Sequence, residues 1–331
     1  MTTVDFTLNG QPVTAPAGQS IFNIAKDLGI QIPHLCHKDG LTPDGNCRAC
    51  VVEIEGERTL APSCCRSATP GMKVQTHSER ALKSQKMVLE MLLADLPETG
   101  WKWLDDRAEA PHGELSQWAE HHGVQVRPEL AELRREAVPA DLSHPAMAVN
   151  LDACIQCNRC ERACRDLQVN DVIGLAHRGA HTQVVFDLAD TMGQSSCVAC
   201  GECVQACPTG ALMPKSHMGA QKVDREVDSV CPFCGVGCLV TLKVKDEKIV
   251  SVEGRAGPAN EGRLCVKGRF GMDYVHSPDR LLKPLVRKPG VAKDVSLLDG
   301  ATDWREVFRE ASWEEALDAA AQPLRALKEQ F

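Results

Sequence analysis

With 331 residues, 43% of them hydrophobic, and a net charge of −8, the chain has room for two or three packed domains, and its acidic balance argues against a nucleic-acid partner. No apolar run approaches the roughly 18–20 residues of a membrane helix. The start, MTTVDFTLNG, has no basic or apolar leader, so neither a membrane partner nor a signal peptide is expected. Seventeen cysteines in tight groups do not fit a short secreted disulfide scaffold and point instead to bound metal in a reducing, cytoplasmic compartment.

Residues 1–76 read as a small mixed domain. Val4, Phe6 and Leu8 alternate with polar residues up to Asn9–Gly10, a dipeptide that favours a tight hairpin because both turn positions need positive φ. SIFNIAKDLGI follows as a short helix capped by Ser20 and stopped at Gly29, then a cysteine-bearing loop, then a strand in CVVEIEG. Cys36, Cys47, Cys50 and Cys64 have the spacing C-x10-C-x2-C-x13-C. Plant-type [2Fe–2S] ferredoxins have a similar order with a shorter first gap, and zinc is the competing metal. Cys65 adjoins Cys64, and either could be the fourth ligand; His34 and His37 read as supporting or surface side chains.

Residues 77–148 read as a helical connector. A first helix over 77–96 has Thr76 and Glu79 as its capping box, and a second starts at Pro128 before ELAELRREA. Residues 149–216 contain a repeat. CIQCNRCERAC and CVACGECVQACP share C-x2-C-x2-C-x3-C, the doubled run of a two-cluster [4Fe–4S] ferredoxin, whose fourth cysteine serves the other cluster. The expected ligand sets are Cys154, Cys157, Cys160 with Cys207, and Cys197, Cys200, Cys203 with Cys164. Paired zinc knuckles would separate their C-x2-4-C pairs instead. VVFDL between the two runs suggests a strand.

Residues 228–275 hold Cys231, Cys234, Cys238 and Cys265, C-x2-C-x3-C-x26-C, around a hairpin in LVTLKVKDEKIVSVEG. The spacing alone also suits a zinc ribbon. Lys267 follows the last cysteine of this group and would sit beside a bound cluster. Residues 276–331 end in a helix within SWEEALDAAAQPLRALKEQF.

The order of these motifs, with the stretches DLSHPAMAVNLDACIQCNRC, SSCVACGECVQACPTGAL and CPFCGVGC…LCVKGRFG, resembles the N-terminal iron–sulfur part of the α-subunit of soluble NAD-dependent molybdenum or tungsten formate dehydrogenases. The resemblance implies an α+β chain. A β-grasp [2Fe–2S] domain, a connector and a two-cluster [4Fe–4S] module lead to a small [4Fe–4S] domain that opens a molybdopterin oxidoreductase fold. It implies one [2Fe–2S] and three [4Fe–4S] clusters, iron held by the sixteen cysteines named, and Lys267 as the electron relay toward a bis-molybdopterin guanine dinucleotide. Partners would be the catalytic domain carrying that cofactor and a flavin- and NAD-binding β-subunit with its own iron–sulfur clusters. Electrons would pass between formate or CO2 at the first and NAD at the second.

Two departures accompany the resemblance. Relatives place a histidine-ligated [4Fe–4S] cluster after the first domain, but residues 77–148 contain no cysteine, so His112, His121 and His122 have no thiolates to complete such a site. No position matches the family's metal-bound catalytic residues, so residues 276–331 read as the start of a catalytic domain otherwise absent. Related subunits of complex I or a hydrogenase, or a stand-alone electron-transfer protein, are the alternatives. The cross-ligation has a direct check: in Cys164→Ala, EPR should show loss of the cluster bound by Cys197, Cys200 and Cys203, with the Cys154 cluster kept.

Overall fold

The structure is a computed structural model that describes residues 2–97, 113–219, 223–298 and 302–330. It divides into two units, residues 1–272 and 273–331. His112 lies outside the described residues.

In the larger unit, β1 (Thr3–Leu8) and β2 (Gln11–Pro16) pair antiparallel around Asn9 and Gly10, both at positive φ (52° and 81°). This is the backbone that a two-residue hairpin turn requires. Helix α1 (Ile21–Asp27) is capped by Ser20, whose hydroxyl accepts from the Asn23 amide at 3.2 Å. Strands β3 (Val51–Ile54), β4 (Ala61–Pro62) and β5 (Lys73–Gln75) complete a five-stranded sheet of order β2-β1-β5-β3-β4, in which β1 and β5 run parallel. Ile21, Phe22, Ile24 and Ala25 of α1 pack on Phe6, Leu8, Val52, Ile54 and Val74 of the sheet, and Cys50 and Cys64 belong to the same core.

Helix α2 (Glu79–Ala94) starts at Ser78, not at the capping box expected from Thr76 and Glu79: the Ser78 hydroxyl accepts from the Ala81 amide at 3.2 Å. Thr76 instead faces the hairpin turn, its amide donating to Asn9 Oδ1 and its hydroxyl accepting from Asn9 Nδ2, both at 2.8 Å. Helix α3 (Glu114–His121) packs on α2. The helix expected from ELAELRREA is a single turn, α4 (Pro128–Ala131). It buries no side chain, and Leu133 beyond it is 76% exposed, so no apolar stripe is available to stabilise a longer one. Glu90 of α2 holds the start of α4 through Arg127 Nε at 2.7 Å and Nη2 at 3.1 Å.

Strand β6 (Met147–Val149) opens the repeat region. Helix α5 (Arg159–Arg162) runs into a π-turn over Ala163–Leu167. Strands β7 (Ile173–Ala176) and β8 (Gln183–Phe186) form a hairpin, α6 (Glu202–Ala206) repeats α5, and β9 (Leu212–Pro214) returns to pair with β6. Strands β10 (Arg225–Val230), β11 (Leu239–Lys245) and β12 (Lys248–Gly254) make an antiparallel sheet, followed by α7 (Val266–Phe270). The smaller unit pairs β13 (Leu285–Arg287) with β14 (Phe308–Glu310), which follows α8 (Trp304–Val307). It ends in α9 (Trp313–Gln330), which buries no residue. No helix among the described residues is long and apolar enough to cross a membrane.

Leu89 and Leu96 from the α2 region and Leu115 from α3, each at most 1% exposed, form one apolar cluster with Leu35, Ala49, Ala153 and Ala211. Cys47, Cys154 and Cys207 pack against that cluster, so the connector helices and two cysteine groups share a core. Leu89→Ala should therefore lower stability by about 2–5 kcal/mol, the usual cost of a large-to-small change in a core. A fall in the thermal unfolding midpoint of the whole chain checks this, and an unchanged midpoint would contradict the packing.

Candidate metal centres

The two cysteine runs of the repeat bend their first C-x-x-C in the same way. Gln156 and Ala199, at equivalent positions in the two runs, both have φ of 55°. The turn aims their amides inward: Gln156 N–H donates to Cys154 Sγ at 3.3 Å and Ala199 N–H to Cys197 Sγ at 3.4 Å. Asn158 and Gly201 repeat the positive φ two residues later (57° and 73°) and start α5 and α6. These short helices carry Cys160 and Cys203 inward.

The thiols fall into four groups. In the first domain Cys36 lies against Cys47 and Cys64, and Cys64 against Cys50. Hydrogen bonds from Cys47 and Cys64 pull the Cys36 thiol far down, a bond from Cys64 brings Cys50 down to about 7, and the same contacts push Cys47 and Cys64 up. The neighbours Cys64 and Cys65 separate clearly. Cys64 is buried in this group, whereas Cys65 is exposed, its Sγ 3.6 Å from that of Cys64. His34 and His37 hold no thiol. His37 is buried rather than at the surface, and both rings meet Phe22 edge-on at 4.6 Å.

Cys154, Cys157, Cys160 and Cys207 line one small cavity, where burial pushes Cys154 up to about 11 and Cys157 up to about 12, and also raises Cys160 well above the ordinary thiol value. Cys164 acts electrostatically on Cys197, Cys200 and Cys203, all three raised chiefly by burial. Cys231, Cys234 and Cys265 likewise act electrostatically on Cys238, again raised chiefly by burial. Cys234, Cys265 and Lys267 are exposed, so this last group opens to the surface.

Buried thiols with raised pKa values lose their protons only to a positive centre, and all-sulfur donor sets select soft metals or iron–sulfur cores. The donor sets, four thiols each and no oxygen or nitrogen, fit iron–sulfur groups.

The modules are joined by side chains that the spacing of the cysteines does not reveal. Arg162, 4% exposed, donates to the carbonyl oxygens of Cys36 at 2.6 Å, Cys157 and Asn158 at 3.2 Å, and Thr42. Arg159, 1% exposed, bonds Glu114 at 2.7 Å and the His37 carbonyl. Arg269 of α7 donates to the Cys200 carbonyl at 2.9 Å, Gln205 Oε1 at 2.7 Å and Glu202 Oε1 at 2.6 Å. Gln205 in turn donates to the carbonyls of Gly254 and Gly262, both at 3.1 Å.

Gly201 tests the junction at Arg269. A Cβ there would lie 2.1 Å from Arg269 Cδ and 2.8 Å from Phe270 Cζ, at a φ of 73°. Gly201→Ala should lose more than the roughly 1–2 kcal/mol of left-handed backbone strain alone. Asn158→Gly, at the matching position, should be near neutral. Equal thermal midpoints for the two variants would contradict the close approach.

Three family models match in chain order: a 2Fe-2S iron-sulfur cluster binding domain over residues 1–79, a 4Fe-4S dicluster domain over 153–211, and a molybdopterin oxidoreductase Fe4S4 domain over 224–277. These indicate a [2Fe–2S] cluster and [4Fe–4S] clusters. A subunit of an NADH-quinone oxidoreductase from Rhizobium meliloti is 33% identical over 88% of this chain and 34% of its own length. The alpha subunit of an NADPH-Fe(3+) oxidoreductase from Geobacter sulfurreducens is 30% identical over 92% of this chain and 35% of its own. A Staphylococcus haemolyticus protein provisionally named a formate dehydrogenase is 26% identical over 98% and 35%. A crystal structure of an NAD+-reducing [NiFe]-hydrogenase aligns with a TM-score of 0.58 at 26% identity, covering 67% of this chain and 92% of that one. The chain spans about a third of the length of these curated relatives. Together the matches support a relation to the iron–sulfur part of molybdopterin oxidoreductases and of NADH-quinone oxidoreductase-like proteins.

Proposed function

We propose that this chain is the electron-relay part of a molybdenum- or tungsten-dependent formate dehydrogenase α-subunit, working between a bis-molybdopterin guanine dinucleotide site and a flavin-bearing, NAD-reducing partner. The observation that carries this reading is the grouping of sixteen thiols into four sets within one unit, joined by Arg162 and Arg269. Bound iron–sulfur groups would supply single-electron transfer at each set.

The protein's own contribution is to hold, dry and orient these groups. Cys36, Cys47, Cys50 and Cys64 would hold the [2Fe–2S] group, and the five-stranded sheet with α1 packed on it supports a β-grasp reading of that domain. Cys154, Cys157, Cys160 and Cys207, then Cys197, Cys200, Cys203 and Cys164, would hold the two central [4Fe–4S] groups, with Cys231, Cys234, Cys238 and Cys265 holding the third. Exposed Lys267, beside exposed Val266 and Cys265, would face the catalytic domain. The formate assignment rests on the motif resemblance and on the provisional name of the staphylococcal relative.

The relation to the rhizobial NADH-quinone oxidoreductase favours a second reading, a relay fed by NADH with no formate chemistry. The missing cysteines of residues 77–148 weigh against it, because the corresponding complex I subunit keeps the histidine-ligated cluster there. Metal analysis and EPR test the relay itself: about 14 irons per chain, with one [2Fe–2S] and several [4Fe–4S] signals on reduction, are expected. Zinc with no EPR signal would overturn it. In the native complex, formate alone should reduce these centres, and reduction by NADH but not by formate would favour the second reading.

A further inference from the structure

Arg162 is buried, charged and surrounded by oxygens that carry no charge. Its guanidinium donates to four backbone carbonyls, those of Cys36, Thr42, Cys157 and Asn158, and among the described residues it forms no ion pair. Asp166, which feels its charge, is exposed and bonded to Arg165 at 2.8 Å. The other two buried arginines differ. Arg159 pairs with Glu114 and Arg269 with Glu202, at 2.7 and 2.6 Å. A cation taken out of water without a partner is expensive, and carbonyl dipoles only partly repay it. The position of Arg162 indicates where the missing negative charge belongs. Two of its four carbonyls belong to Cys36 and Cys157, one from the first thiol group and one from the second.

We propose that Arg162 is the shared counter-cation of the [2Fe–2S] group at Cys36 and the [4Fe–4S] group at Cys157. This rests on the iron–sulfur reading above. Each thiolate-ligated group is anionic and gains one further negative charge, and no atom, when reduced. A buried guanidinium beside both lowers the cost of that charge with little screening by salt. Arg162 therefore raises both reduction potentials together, while Arg269, already neutralised by Glu202, does this less for the Cys200 group. Its charge, not only its hydrogen bonds, is what the relay uses.

The test is an EPR-monitored redox titration of the iron-loaded full chain in three forms: unaltered, Arg162→Gln and Arg162→Lys. In the Gln variant the [2Fe–2S] couple and one [4Fe–4S] couple should both move to lower potential. The expected shift is about a tenfold change in the reduced-to-oxidised ratio, about 59 mV for a one-electron couple. The remaining [4Fe–4S] couples should move less. The Lys variant keeps the charge but not the four-carbonyl fork, and both couples should stay near their original potentials. Unchanged potentials in the Gln variant, or movement of the [2Fe–2S] couple alone, would overturn the proposal. If the Gln variant fails to load iron, the Lys variant decides. Loading with both potentials kept supports the charge role, and failure of both variants reduces Arg162 to a structural clamp. An unaltered chain with no iron–sulfur EPR signal would overturn the iron–sulfur reading itself, which is a separate outcome.

Discussion

Where Gln156 and Ala199 turn through positive φ, their amides point at the sulfurs of Cys154 and Cys197. A loop that aims its N–H groups inward at sulfur leaves its carbonyls facing outward, into protein rather than water. Each such carbonyl needs a donor. The donors here are arginines. Arg135 reaches the carbonyls of Leu151 and Asp152 at 3.2 Å and also that of Cys154; Arg162 takes Cys36 and Cys157, and Arg269 takes Cys200. The guanidinium suits this task because its fixed fork of N–H groups satisfies several carbonyls at once and accepts nothing in return. The demand created at the sulfur sites thus determines how the domains join, since the arginine serving a loop often comes from another module.

The repeat makes this division of labour visible. The first run faces the sheet domain through Arg159 and Arg162, and the second faces the β10–β12 sheet through Arg269 and Gln205. Gln205 is a meeting point for all three modules. Its backbone carbonyl accepts from Lys38, its side-chain amide donates to Gly254 and Gly262, and its Oε1 accepts from Arg269 and from the Gly254 amide at 3.0 Å. Both ends of that side-chain amide are engaged, so a change of register between modules would break several bonds together.

Local demands are what the sequence displays. Asn9–Gly10 announces its turn because two positive-φ residues are needed there, and the Ser20 cap is legible because capping acts within four residues. The grouping of the cysteines is legible for the same reason, since three thiols share one short loop. Thr76 misleads because its hydroxyl and amide are claimed by Asn9, 67 residues earlier, leaving Ser78 to cap α2. The segment after Pro128 misleads because propensity without an apolar face does not sustain a long helix. Arg162 and Arg269 give no signal at all. In NRCERAC and KGRFG they look like solvated charges, and their burial follows only from which loops pack against them.

That packing also gives the connector helices a role without ligands. Leu89, Leu96 and Leu115 fill the region where Cys47 of the first group approaches Cys154 and Cys207 of the second. An apolar filling excludes water, and exclusion of water governs both the dielectric around a redox group and the strength of any fixed charge near it. A dry region is where an unpaired buried cation such as Arg162 has its longest reach. At the opposite end Cys234 and Cys265 are exposed, and the apolar cluster beside that group, around Val240, Val252, Leu264 and Met272, leaves them at the surface. Charges near that group are screened by solvent, whereas charges around the first two groups act through interior residues of this chain.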